Sequence, residues 1–134
     1  MSRSIAFAGT LLLLFKPGFA QTQTDRGKYL AMGVAMCVQC HSPRNDRGEL
    51  IEDQLFLGAP IPVEAPGRDW AIRAPRIARL PGWTDADFVR LLQTGKRPNG
   101  SSPRRPMPPF RMSREDASAI ASFLKALKTT AEDD

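Results

Sequence analysis

The most constraining feature of the chain is the run Cys37-Val38-Gln39-Cys40-His41, which holds its only two cysteines and its only histidine. Two thiols separated by two residues can add to the two vinyl groups of one porphyrin, and the adjacent histidine then lies under the iron. The run therefore predicts one c-type haem, attached through Cys37 and Cys40, with His41 as an iron ligand. The sequence contains no second run of this kind.

Two other uses of this run stay open. A structural zinc site normally takes four Cys or His ligands, whereas the chain has three such residues, all within one short segment. A thioredoxin-like redox pair requires a strand before the first cysteine and a helix beginning at it. A helical pattern leads into the run instead, so both alternatives account for the sequence less well than haem attachment.

The first twenty residues have the pattern of a secretory signal peptide. Arg3 supplies a positive charge, residues 5–15 are apolar and rich in leucine, and Gly18-Phe19-Ala20 offers small residues at a cleavage point. The apolar stretch is shorter than the roughly twenty residues that span a bilayer. We therefore predict a signal peptide over 1–20, cleavage after Ala20, and one periplasmic domain over 21–134.

Charge and composition exclude some partners. The net charge is +5 and falls to +3 when Arg3 and Lys16 are removed with the signal peptide. Basic and aromatic residues do not alternate along one stripe, which argues against a nucleic-acid partner, and 42% of the residues are apolar, enough for a folded core. Neither nucleic acid nor stable membrane insertion is expected.

Capping residues and apolar spacing predict three helices. The first covers Asp25 to Met36, with Thr24 as its N-cap, and leads into the cysteine run. The second begins after Thr84 and ends at Gly95, and Trp83 and Phe88 have the spacing of a hydrophobic staple around its cap. The third begins after Ser113, and its inner positions are Ala117, Ile120, Leu124 and Leu127.

The segments between these helices, residues 42–81 and 96–109, are rich in proline and glycine and show no helical or strand period. Long irregular segments of this kind are uncommon in a compact domain unless something else organises them. We expect a buried haem to do so, because a large flat apolar group supplies core that the chain lacks.

Because His41 is the only histidine, the second iron ligand is a methionine, a water molecule or nothing, and we predict a methionine. Met107 lies in Pro106-Met107-Pro108-Pro109, where prolines stiffen the backbone, as a weak thioether ligand requires. Met112 is the alternative, although it also suits a packing role before the last helix. Met32 and Met36 are expected to be core residues on the proximal side, so His41 and Met107 are the predicted metal ligands.

These elements in this order resemble the class I cytochrome c family over residues 25–128. The family order is a helix ending in CxxCH, a loop-rich middle, a short helix, a Pro-Met-Pro segment and a C-terminal helix. The resemblance implies an all-α cytochrome c fold over 21–134, with three to five short helices and long loops around one covalent haem. It also implies that the terminal helices cross where Gly27 meets Phe123, although Gly27 can equally be a tolerated weak helix former.

Four shorter segments are similar to haem domains in cytochrome subunits of bacterial periplasmic dehydrogenases. They are Cys40-His41-Ser42-Pro43-Arg44, Ala74-Pro75-Arg76-Ile77, Gly82-Trp83-Thr84-Asp85 and Met107-Pro108-Pro109-Phe110. Those subunits often carry three haems, whereas this sequence has one CxxCH run. The resemblance implies a stand-alone carrier, or a one-haem subunit paired with its own dehydrogenase.

The predicted function is one-electron transfer without catalysis. With His41 and Met107 both on the iron, no position is left for a substrate, so we expect an electron-transfer protein whose partners are a dehydrogenase, an oxidase or another cytochrome. One alternative is a haem subunit fixed in a dehydrogenase complex. Another is an open-site haem sensor or peroxidase, for which the chain lacks a distal histidine to act as acid or base.

Surface charges and haem-propionate partners can also be predicted. Arginine and indole groups donate well to a partly buried carboxylate, which makes Arg73, Arg76, Trp70 and Trp83 candidates to bind the propionates. Cations around the haem edge near the cysteines would steer an acidic partner. Packing or an ordinary solvated position is the alternative for each residue; the candidate cations are Lys28, Arg44, Arg47, Lys96, Arg97, Arg104 and Arg105.

Overall fold

The computed structural model describes residues 18–128. The predicted signal peptide lies outside the described residues except for 18–20, which begin the first helix. None of the described helices combines the length and apolarity needed to cross a membrane. The elements in chain order are α1 (Gly18–Tyr29), a π-helical turn (Leu30–Val34), α2 (Cys37–His41), a 3₁₀ turn (Glu52–Gln54), β1 (Ala59–Pro60), β2 (Arg73–Ala74), α3 (Asp85–Thr94) and α4 (Arg114–Ala126).

The first helix differs from its prediction at both ends. It begins at Gly18, so Thr24 lies inside α1 and does not cap it. After the π-helical turn, Met36 has a φ of +53°, a left-handed conformation that separates the helix from Cys37. The prediction of one helix from Asp25 to Met36 is therefore wrong. Packing of α1 along α4 outweighs the local capping preference, as expected when tertiary contacts supply most helical stability.

The predicted caps of α3 and α4 are confirmed. The Thr84 hydroxyl accepts a hydrogen bond from the Asp87 N–H at 3.1 Å, and the Ser113 hydroxyl accepts one from the Asp116 N–H at 3.1 Å. Gly95 ends α3 with a φ of +68°, a conformation that glycine adopts at low cost. These ends are fixed by side chains only a few residues away, which is why the sequence shows them.

The helix crossing between α1 and α4 is also confirmed. A Cβ atom built on Gly27 would lie 1.9 Å from the Ala119 carbonyl oxygen and 2.8 Å from the Phe123 Cβ. No side chain fits at that separation, so Gly27 is required by the close approach and is not merely a tolerated weak helix former. An ion pair from Arg26 to Asp116, at 2.9 Å, lies beside the crossing.

Phe56 connects the irregular middle of the chain to the helical core. Its ring is fully buried and packs edge-to-face on Phe123, with centroids 5.7 Å apart. Its carbonyl oxygen accepts hydrogen bonds from the N–H groups of Ile77 and Ala78 at 2.9 and 3.0 Å. Its own N–H donates to the Ser42 hydroxyl at 2.9 Å. The loop following the cysteine run is therefore held in place by one aromatic residue.

The all-α prediction needs one correction. β1 and β2 form an antiparallel ladder, in which Ala59 pairs with Ala74 and Pro60 pairs with Arg73. The remaining regular structure is helical, which is compatible with a cytochrome c-like fold. Each strand has only two residues, and such a ladder leaves no alternating pattern from which to predict it.

Candidate haem site

His41 is tightly constrained. Its side chain is 8% exposed, and its Nδ1 atom lies 2.7 Å from the carbonyl oxygen of Pro75. Because a carbonyl oxygen only accepts, Nδ1 carries the hydrogen and Nε2 keeps its lone pair. Burial lowers the pKa of His41, although the hydrogen bond to Pro75 acts in the opposite direction. A neutral imidazole with a fixed tautomer and a free Nε2 is the form that ligates a metal.

Gly58 keeps the two loops around His41 together. The Gly58 N–H donates to the His41 carbonyl oxygen at 2.8 Å. Gly58 has a φ of +85°, and a Cβ atom there would lie 2.7 Å from the Arg76 nitrogen and 2.9 Å from the Pro75 carbonyl carbon. The roles of Gly58 and Pro75 were not predicted from the sequence. The available signal was the segment Ala74-Pro75-Arg76-Ile77, which resembles haem domains of cytochrome subunits.

Cys37 and Cys40 are free thiols, both half-buried, at the first and fourth positions of α2. Residues three apart lie on the same side of a helix, so both thiols can reach one group. Burial raises the pKa of Cys37 to about 11, which keeps this thiol protonated at neutral pH. The short helix therefore presents two free thiols next to a buried imidazole.

The two alternative uses of the cysteine run receive no support. Within residues 18–128, no three His, Cys, Asp or Glu side chains are grouped so as to hold a metal ion. A tetrahedral zinc site would need such a group. A thioredoxin-like pair would follow a strand, whereas α2 follows the π-helical turn.

Trp70 carries a buried hydrogen-bond donor with no acceptor. The indole Nε1 atom has no hydrogen-bond partner among the described residues. Leaving such a donor unpaired costs about 1–3 kcal/mol, which indicates an acceptor that the described chain does not supply. A propionate carboxylate is an acceptor of this kind, so the site residues fit a haem at Trp70 as well as at His41.

The other three propionate candidates differ from Trp70. The Trp83 ring packs edge-to-face on Phe88 with centroids 6.3 Å apart, which confirms the predicted staple and gives Trp83 a packing role. The Arg76 Nε atom donates to the Ala78 carbonyl oxygen at 3.2 Å. Arg73 is exposed on β2. Trp70 is therefore the candidate whose environment favours a propionate most clearly.

The four methionines outside the predicted signal peptide lie in different environments. Met32 and Met112 are partly buried against the hydrophobic core. Met36 is 51% exposed, so its prediction as a core residue is wrong; its left-handed backbone turns it towards solvent. Met107 is half-buried but does not belong to the described residues that pack against the core. Its N–H donates to the Arg104 carbonyl oxygen at 3.3 Å.

The predicted cations around the haem edge are not equivalent. The Arg44 guanidinium contacts the Gln39 side chain and donates to the Gly48 carbonyl oxygen at 2.7 Å. Arg47 forms an exposed ion pair with Glu49 at 3.0 Å. Arg44 and Arg47 are thus engaged locally, beside the cysteine run. The other five predicted cations have no carboxylate partner within residues 18–128; they are Lys28, Lys96, Arg97, Arg104 and Arg105.

Two curated proteins are similar to this chain. The fructose dehydrogenase cytochrome subunit of Gluconobacter japonicus is 30% identical over 127 residues, which cover 85% of this chain and 24% of that protein. The diheme cytochrome c-type protein of Cereibacter sphaeroides is 32% identical over 110 residues, which cover 77% of this chain and 35% of that protein. The chain thus spans about a quarter to a third of these relatives' lengths. No family model matches it.

Both relatives are named as cytochromes, and their similarity supports a place for this chain among cytochromes of the c type. It likewise supports electron transfer through haem. One relative is diheme, so the expectation of one haem in this chain rests on its single CxxCH run.

Proposed function

We propose that this chain is an exported one-electron carrier with one c-type haem, attached through Cys37 and Cys40 and ligated by His41 and Met107. The hydrogen bond from His41 Nδ1 to the Pro75 carbonyl oxygen, at 2.7 Å, carries the proposal. It leaves Nε2 of a buried neutral imidazole free beside two free thiols. When bound, the haem supplies reversible one-electron exchange between ferrous and ferric iron.

Packing supports Met107 as the second ligand. Met32 and Met112 pack against the core, and Met36 is half exposed next to Cys37. Met107 is half-buried without that packing, and prolines on both sides restrict its backbone. A loop of this kind holds the weak thioether donor of Met107 in place, and the hydrophobic core does not depend on that side chain.

The residues around the iron control electron exchange without binding substrate. His41 and Met107 would both hold the iron, so no ligand position would remain for a substrate. A thioether donor and an apolar surrounding both disfavour the extra charge of ferric iron, and the midpoint potential is therefore expected to be positive. Trp70 donates to a propionate in this account and so offsets its negative charge.

A second candidate function is a haem subunit fixed in a dehydrogenase complex. One similar protein is named a cytochrome subunit of fructose dehydrogenase, and this specific observation favours the candidate. A fixed subunit would copurify with its dehydrogenase at high salt. A free carrier would elute at high salt as a monodisperse monomer, with redox partners that bind only transiently.

Covalent haem and a closed iron site can be tested together. The full chain is expressed in a host that matures c-type cytochromes, and a denaturing gel is stained for haem. We expect a stained band, and ferrous protein whose visible spectrum changes little when carbon monoxide is added, because methionine blocks the sixth position. Rapid carbon monoxide binding would contradict the carrier proposal and favour the open-site alternative.

Export is tested separately by N-terminal sequencing of the purified protein. The signal-peptide proposal for residues 1–20 predicts that the mature periplasmic chain begins at Gln21. A chain that begins at Met1 would contradict cleavage after Ala20.

A further inference from the structure

We propose that a cationic surface centred on Ile72 docks an acidic redox protein that presents carboxylates around an apolar contact. The Ile72 surface consists of Ile72, Arg73, Arg104 and Arg105. This inference rests on the proposed electron-transfer function and adds where a partner binds and what chemistry that partner needs.

Backbone hydrogen bonds assemble this surface from distant parts of the sequence. The Ala71 N–H donates to the Arg105 carbonyl oxygen at 2.6 Å, and the Ile72 carbonyl oxygen accepts from the Ile61 N–H at 3.0 Å. The β2 segment therefore lies between β1 and the Arg104–Arg105 segment. At about 3.3 Å per residue, Arg73 lies roughly 7 Å along the strand from Ala71. These backbone contacts therefore place the segments that carry the three arginines next to Ile72.

Ile72 supplies the apolar centre of the surface. It is 73% exposed, more than any other exposed large hydrophobic residue in the described chain, and Val63 on the preceding loop is 54% exposed. A single exposed isoleucine is ordinary on a protein surface. What distinguishes Ile72 is the set of unpaired charges around it.

Two exposed cations of the helices have carboxylate partners. Arg26 pairs with Asp116 and Lys125 pairs with Asp85, each at 2.9 Å. Arg73, Arg104 and Arg105, by contrast, are exposed and form no ion pair within residues 18–128. Residues 88–114 contain no acidic residue at all. The positive charge of the Ile72 surface is therefore available to a partner.

The two acidic groups nearest in sequence do not neutralise this surface. Glu64 and Asp69 are exposed on the loop between β1 and β2, and neither is ion-paired with the three arginines in the described chain. An anionic membrane would repel both carboxylates over a broad contact area. A protein partner can match the pattern locally, with its carboxylates opposite the arginines and an apolar group opposite Ile72.

The position of the surface suits electron exchange. Ile72 follows Trp70 by two residues, and the Trp70 indole N–H is the buried donor assigned to a propionate. A partner bound at Ile72 would therefore contact the chain segment that also contains Trp70, the proposed propionate donor. Redox encounters of this type use small interfaces and rely on charge for fast association.

Surface plasmon resonance measures how much of the protein binds to a gold surface coated with a mixture of carboxylate- and methyl-terminated alkanethiols. The variants are R73Q/R104Q/R105Q and I72S. The charge-matched control is R90Q/R114Q/K128Q, which removes three exposed cations from α3, from α4 and from the segment after α4. V34S is the apolar control, because Val34 is 56% exposed on the π-helical turn.

We expect the arginine triple variant to bind on the order of tenfold more weakly, because exposed charge pairs contribute up to about 1 kcal/mol each. The I72S variant should lose its preference for the mixed layer over a pure carboxylate layer. The two control variants should change binding by less than about twofold, because exposed residues outside the contact contribute little to the binding free energy.

An equal loss in R90Q/R114Q/K128Q would overturn the proposal, because net charge and not the Ile72 surface would then govern binding. Equally strong, arginine-dependent binding to phosphatidylglycerol vesicles would overturn it in favour of a membrane partner. The mass signal does not need haem. Failure of the carrier proposal, seen as absence of a haem-stained band, is therefore distinguishable from failure of this one.

Discussion

The Trp70 indole N–H has no acceptor in the described chain, although it is buried. Folded proteins rarely leave such a donor unpaired, and an unpaired one indicates a missing ligand or an incomplete site. A bound haem would supply a carboxylate there. The same residue would then contribute to stability and to the potential of the iron, since it partly neutralises a negative charge near the metal.

Trp70→Phe keeps most of the ring and removes the N–H. We expect the haem-bound protein to lose about 1.5–3 kcal/mol of unfolding free energy, the usual value of a hydrogen bond to a charged group, and its midpoint potential to fall. Denaturant unfolding and a redox titration measure the two effects. Trp83→Phe is the matched control, because Trp83 has a packing role, and its potential should not change. A Trp70→Phe variant that is equally stable or more stable would contradict the propionate role.

Single residues were predictable from the sequence only where their chemistry is carried by their own side chain. The thiols of Cys37 and Cys40 and the imidazole of His41 were identified in this way. Pro75 acts through its backbone carbonyl and Gly58 through the side chain that it lacks, so neither leaves a chemical mark in the sequence. Trp70 and Trp83 looked alike, and only their surroundings distinguish them.

At the scale of elements, the crossing of α1 and α4 holds the two ends of the described chain together. The crossing is possible because Gly27 lets the two backbones approach closely. Gly33 lies only six residues further on, yet a Cβ atom there would meet nothing within 4 Å. Comparison of Gly27 with Gly33 therefore distinguishes a glycine that close packing requires from one that affects only helix propensity.

Gly27→Ala is expected to destabilise the haem-bound protein by about 3 kcal/mol or more, at or beyond the upper end of usual overpacking costs, because the new methyl group meets rigid backbone. Gly33→Ala should change the unfolding free energy by about 1 kcal/mol or less, and in the stabilising direction. Denaturant unfolding of both variants measures this contrast. Similar losses in the two variants would show that the crossing does not depend on close contact at Gly27.

Elements were predictable where their signals are local. Thr84, Gly95 and Ser113 cap their helices through contacts within a few residues, and the sequence showed all three. The N-terminal extension of α1 and the β1–β2 ladder depend on contacts with distant segments, which leave no local pattern. The sequence also gave no sign that Met36 adopts a left-handed conformation.

At the scale of the whole molecule, the candidate haem site is built from α2 and from loops that pack against one helical core. The buried imidazole and the two thiols come from α2, and the unpaired indole N–H comes from the segment before β2. These groups are explained together by one haem, whereas zinc or a dithiol would use only part of them. We therefore propose that this chain carries one haem, attached covalently through Cys37 and Cys40, with His41 and Met107 as the iron ligands.

The most direct test is the visible spectrum of the ferric protein, recorded for the wild type, Met107→Ala and Met112→Ala. Methionine-ligated ferric haem is expected to show a weak charge-transfer band at long wavelength. We predict the band in the wild type and in Met112→Ala, and its loss in Met107→Ala. A band that persists in Met107→Ala, or a haem-bound wild type without it, would contradict the account.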